Sequence, residues 1–67
     1  MNFRYSMVIK WSEADNGFIV IVPEFPGLSA FGETHEEAAK EAHIAIALFV
    51  EEDIANGTPI PKPIVLS

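Results

Sequence analysis

Residues 22–38 read VPEFPGLSAFGETHEEA. A β-branched apolar run breaks off here and an alanine-rich run begins, and the chemistry of the break sets the fold. Pro23 has no backbone donor, so it closes the strand that precedes it. Pro26-Gly27 suits the two central positions of a type II turn, because proline presets φ and glycine accepts φ > 0. Leu28 to Phe31 then reads as a short third strand that ends at Gly32. Thr34 is placed as a helix N-cap, and Glu37, three residues on, completes a capping box with its carboxylate reaching back to the Thr34 amide. Glu36 and Glu37 also favour the positive end of the helix dipole. The stretch therefore reads as punctuation between a strand and a helix.

Upstream, Phe3, Tyr5, Met7, Ile9 and Trp11 alternate with Arg4, Ser6 and Lys10, and this period of two predicts a half-buried strand over residues 3–11. Asn16-Gly17 supplies positive φ angles for a tight hairpin. Phe18 to Val22 is a continuous apolar run, as expected of a central strand covered on both faces. Downstream, a helix is expected from His35 to about Ala55, stopped by Asn56-Gly57. Ala38, Ala42, Ala45, Ile46 and Phe49 form its core stripe at helical spacing, and the small alanines let it lie close to a sheet. Ile44, Leu48 and Val50 fall outside that stripe and are read as an oligomer interface. Pro59, Pro61 and Pro63 impose an extended tail, after which Ile64-Val65-Leu66 is expected to add a short edge strand. The class is α+β, in the order β-β-β-α-β. It is an antiparallel three-stranded meander with one long helix packed on it and a short C-terminal edge strand, in a single domain over residues 1–67.

Composition narrows the function. A chain of 67 residues buries a modest share of its surface, yet 49% of it is hydrophobic, which points to a homo-oligomer, a dimer or tetramer. Ten Asp and Glu against four Lys and Arg give a net charge of −6, the wrong sign for direct contact with nucleic acid. No basic n-region opens the chain, and the apolar stretch from Ile44 to Val50 is far shorter than the ~20 residues of a membrane span, so no membrane is expected and the location is read as cytoplasmic. There are no cysteines for disulfides or thiolate metal sites.

No catalytic residue, metal site or cofactor is assigned. His35 and His43 lie eight apart on one helix, diverging by roughly 80° and about 12 Å along the axis, so they cannot share one ion within the chain. A metal-dependent nuclease needs carboxylates converging from strand centres, whereas Glu13 and Asp15 sit in a hairpin and Glu24 in a turn. The acids suit docking better. Glu13, Asp15 and Glu24 at one end of the sheet, with Trp11 beside them, and Glu51 and Glu52 in the acid cluster that Asp53 completes late in the helix, are the candidate partner-binding residues, their charge steering a basic protein.

Taken in order, these pieces resemble the HicB-like antitoxins. The shared pattern is an aromatic-alternating strand, the hairpin Asp15-Asn16-Gly17-Phe18, then Pro23-Glu24-Phe25-Pro26-Gly27 and Gly32-Glu33-Thr34-His35-Glu36-Glu37-Ala38. A long helix and the tail Asn56-Gly57-Thr58-Pro59-Ile60-Pro61-Lys62-Pro63 complete it. The resemblance covers nearly the whole chain. It implies a partial ribonuclease-H-like fold without nuclease activity, which neutralises a HicA-type toxin, a small basic mRNA-cleaving ribonuclease, by masking its active surface. Many members add a C-terminal DNA-binding segment. The sequence ends at Ser67 without one, so no direct nucleic-acid binding is expected. The alternative is a stand-alone oligomeric small-ligand-binding or regulatory domain with no toxin partner, its apolar surplus lining a pocket between protomers.

Overall fold

The computed structural model describes residues 4–66. Three strands, β1 (Val8–Ser12), β2 (Gly17–Ile21) and β3 (Ser29–Gly32), are followed by one helix, α1 (His35–Asn56). The strands form an antiparallel sheet in the order β1-β2-β3. The fold is therefore α+β with the expected meander. Phe3, the expected start of the first strand, lies outside the described residues.

The ladder begins at Val8↔Ile21 and not earlier, for a reason in the sequence. Two residues further along the same register, Ser6 would face Pro23, which has no N–H to offer. The Ser6 amide turns instead to the Glu24 carboxylate, at 3.0 and 3.1 Å from its two oxygens. The β1–β2 hairpin is looser than expected. Ser12 pairs with Gly17, leaving a four-residue loop over 13–16, and only Asn16 takes a positive φ, of 51°. Gly17 is needed for space: a Cβ there would lie 2.3 Å from the Phe31 ring.

Between β2 and β3 the chain makes two successive turns. The Phe25 amide donates to the Val22 carbonyl and the Leu28 amide to the Phe25 carbonyl, each at 3.0 Å. A proline follows the first residue of each turn, and Gly27 at φ 88° makes the second one type II, as expected. At the helix ends the expected N-cap and C-terminal stop form, but of the expected capping box only the Thr34 half is present. Thr34 Oγ1 accepts from the Glu37 amide at 3.1 Å. Gly57 at φ 70° stops the helix in a Schellman motif, with Gly57 N–H donating to the Ile54 carbonyl and Thr58 N–H to that of Asp53.

The helix covers one face of the sheet. Ala38, Ala42, Ile46 and Val50, each four residues after the last, are its buried row. Ala38 and Ala42 lie on Val20, flanked by Ile9, Phe18 and Ala30. Gly32 ends β3 directly beneath the first helical turn, where a Cβ would stand 2.2 Å from the Ala38 nitrogen. Further along, Ile46 and Val50 pack with Val22, Phe25 and Leu28. Val50 was expected on the outer side with Ile44 and Leu48, but it is a core residue at 8% exposure. Phe49, expected in the stripe, flanks the core instead, 38% exposed, with its ring edge-on to Phe25 at 5.8 Å.

The opposite face of the sheet is open. Val8, Ile21 and Phe31 are 40%, 51% and 41% exposed, so β2 is covered on one face by this chain and not on two. The tail forms no strand over 58–66. Prolines at 59, 61 and 63 remove ladder donors, and the first N–H after Pro63, that of Ile64, goes to the Glu24 carboxylate. The expected edge strand at Ile64-Val65-Leu66 is thus replaced by an irregular strap, also held by Tyr5 Oη donating to the Pro61 carbonyl at 2.6 Å.

Candidate partner-binding surfaces

The acids named from the sequence fall into three environments. Glu24 is buried, 8% exposed, and its carboxylate accepts from Ser6 N–H, from Ser6 Oγ at 3.0 Å and from Ile64 N–H at 2.9 Å. Burial works against its charged form, but the amides of Ile64 and Ser6, its own amide and the Ser6 hydroxyl outweigh it and hold the carboxyl below its ordinary range. Glu24 is therefore a clamp joining the N-terminal segment, the double turn and the tail. It is not an open docking charge, which corrects the expectation for this residue. Sequence reading missed the clamp because its partners lie 18 and 40 residues away.

Glu13 and Asp15 are exposed in the hairpin loop. Asp15 braces that loop by accepting from Ser12 Oγ at 2.9 Å, while its amide donates back to the same oxygen. Trp11 is half-exposed and packs edge-on against Phe18 at 5.2 Å, and Phe18 in turn lies 4.0 Å from the His35 ring, so an aromatic strip closes the sheet at the helix N-terminus. Among the described residues no three His, Asp or Glu side chains come together to hold a metal ion. The three strands carry no carboxylate at all, which leaves no acid at the sheet centre for metal-assisted hydrolysis.

Glu51 and Glu52 are exposed on the second half of α1, and Asp53 is half-buried. They share that half with apolar side chains. Glu37, Glu41, Ile44, Leu48, Glu51 and Ala55 recur at spacings of three and four, and all are exposed, which makes one face directed away from the sheet. Ile44 and Leu48 are 48% and 58% exposed there, ringed by glutamates. Shallow depressions on the same half of the helix are lined by Phe49, Glu52, Asp53 and Asn56, and by Leu48, Glu51, Glu52, Ala55 and Asn56. Neither is an enclosed apolar pocket of the kind that captures a small ligand. The structure thus brings Glu51 and Glu52 together with Ile44 and Leu48 and leaves Glu13, Asp15 and Trp11 on the hairpin side. No helix among the described residues is long and apolar enough to cross a membrane.

The described residues form a small α+β unit with exposed apolar and acidic surfaces. Comparison with known proteins identifies its family. Residues 5–67 match the family model described as HicB_like antitoxin of bacterial toxin-antitoxin system, and the chain belongs to that family. It is 33% identical over 60 residues to the UPF0150 protein ssr1765 of Synechocystis sp., covering 90% of this chain and 75% of that one. It is 39% identical over 62 residues to the UPF0150 protein ssl0738 of the same organism, covering 88% of this chain and 85% of that one. No solved structure matches the chain at a significant level.

Proposed function

We propose that this protein is the antitoxin of a HicA-type pair: without catalysing a reaction, it binds a basic mRNA-cleaving toxin in the cytoplasm and masks the surface the toxin uses on RNA. The observation that carries the reading is the outer face of α1, where exposed Ile44 and Leu48 are flanked by Glu37, Glu41 and Glu51. Apolar anchors ringed by acids match a ribonuclease surface built to hold phosphates, since such a surface is cationic with some apolar relief. The net charge of −6 adds steering toward that partner and away from nucleic acid, so the protein acts on the toxin and not on its RNA or on DNA. Glu13, Asp15 and Trp11 form a second, smaller contact region at the hairpin. The protein works as a homo-oligomer.

Co-expression with the product of the adjacent gene tests the proposal. The expected result is a co-purifying complex with a small basic protein, whose toxicity to growth returns when Glu51 and Glu52 are both changed to Lys. Charge reversal on the rim of the contact should weaken binding at least about tenfold, mainly through slower association and added repulsion. If no basic partner binds, and a metabolite instead raises the melting temperature of the isolated protein, the stand-alone ligand-binding reading takes its place.

A further inference from the structure

Among the described residues two apolar surfaces are left uncovered, and they differ in charge. One is the outer face of α1 described above. The other is the open face of the sheet, where Val8 and Lys10 of β1, Ile19 and Ile21 of β2, and Ser29 and Phe31 of β3 point away from the helix. None of the ten carboxylates of the chain lies on this face. They sit in the hairpin loop, in the Glu24 clamp, and before and along the helix.

We propose that the open sheet face is where two copies of this chain meet. A dimer with twofold symmetry sets the same patch against itself. On the helix face that geometry stacks glutamate on glutamate in a molecule already at −6, whereas on the sheet face it sets Val, Ile and Phe against Val, Ile and Phe with Lys10 the single charge. A basic partner gains nothing from a face whose only charge is a lysine, so this face and the acidic helix select different occupants.

The face is also pre-shaped. The far end of the Phe31 ring sits against Gly17 of the neighbouring strand, where a Cβ would be 2.3 Å from it. Its extent is increased by the tail. Glu24 grips Ile64 and Ser6 together, two residues from Val8, which places the exposed Ile64 and Val65, each at 66%, beside the end of the patch. A standard interface takes about 800 Å² from each partner, about a sixth of the 4919 Å² surface of this chain. The exposed side chains of the sheet face and of the adjoining tail both contribute apolar surface toward that area. This deepens the self-association part of the proposed function and is independent of the toxin part.

Sedimentation velocity at micromolar concentration is the test. Wild type and Leu48→Glu are expected to sediment as dimers, and Ile21→Glu as a monomer with unchanged helical circular dichroism, its association weakened at least about tenfold. Because Ile21→Glu could unfold the sheet, a second measurement stands beside it. The chain has no cysteine, so Ser29→Cys and Glu41→Cys each carry one thiol. Alkylation of the Ser29→Cys thiol should slow as protein concentration rises, and that of the Glu41→Cys thiol should not. A wild-type monomer overturns self-association itself. A dimer broken by Leu48→Glu, or one that protects the Glu41→Cys thiol and not the Ser29→Cys thiol, moves the interface to the helix and overturns this assignment alone. A sheet face protected only when a basic toxin is added also overturns it.

Discussion

Glu24 and Ile64 are separated by 40 residues of chain, and the Ile64 amide donates to the Glu24 carboxylate at 2.9 Å. That one contact ties the tail to the turn between β2 and β3, and the same carboxylate receives the backbone where β1 cannot continue its ladder. A residue that reads as turn punctuation is thus the joint of three segments.

Removing the clamp should be costly. Hydrogen bonds to a charged group contribute about 1.5–3 kcal/mol each before coupling among them is considered, and the donors left behind lose their partner. Glu24→Ala is expected to lower the unfolding free energy by about 2–4 kcal/mol, read by urea denaturation, and to free the amide of Ile64 to exchange with solvent. An unchanged midpoint would mean that water replaces the carboxylate without loss.

Acid should release the same joint. The folded carboxyl of Glu24 holds its proton less readily than the ordinary value of 4.5. The unfolded chain therefore binds the proton first as pH falls, and the stabilisation is complete above that value. It is lost as pH drops below it toward the lowered folded pKa. Urea midpoints measured from neutral pH downward should fall through this window, and Glu24→Gln should remove part of the slope.

Two glycines should respond differently to the same added methyl group. In Gly32→Ala the new Cβ meets the backbone of Ala38 at 2.2 Å, so the first helical turn must lift from β3. A loss of about 3 kcal/mol, the upper end for overpacking, is expected. In Gly17→Ala it meets the far end of the Phe31 ring at 2.3 Å, which can swing away, and about 1 kcal/mol is expected. Equal losses in thermal melts of the two variants would contradict this account of the helix–sheet approach.

On α1, exposure and not hydrophobicity should rank the truncations. Ile46 is fully buried, and Ile46→Ala should cost about 2–5 kcal/mol. Leu48 is 58% exposed, and Leu48→Ala should stay within about 0.5 kcal/mol for the isolated protein while weakening the proposed complex with a toxin. Denaturation paired with a binding titration separates the two effects.

The elements themselves were legible in the sequence because their signals are local. Pro26-Gly27, Thr34 with Glu37, and Asn56-Gly57 each constrain backbone angles or orphan helix groups within a few residues, and the structure has the type II turn, the N-cap and the Schellman stop at those positions. Three outcomes depended on contacts that no local pattern records. Phe49 and Val50 are neighbouring apolar residues, about 100° apart on the helix, and only the shape of the space above Val22 and Leu28 chose Val50 for the core. Ile64-Val65-Leu66 has the composition of a strand, but a strand also needs an edge with free ladder groups, and the Ile64 donor is taken by Glu24. The apolar run of β2 required cover on two faces, and this chain supplies one helix for one of them. Sequence alone determined the order of strands and helix, the type II turn and the helix ends, since those are settled by φ, ψ and nearest neighbours, but not where β1 begins or whether the tail adds a strand. Tertiary structure decided which side chains face one another, because that depends on which distant segments compete for the same donors and the same buried volume.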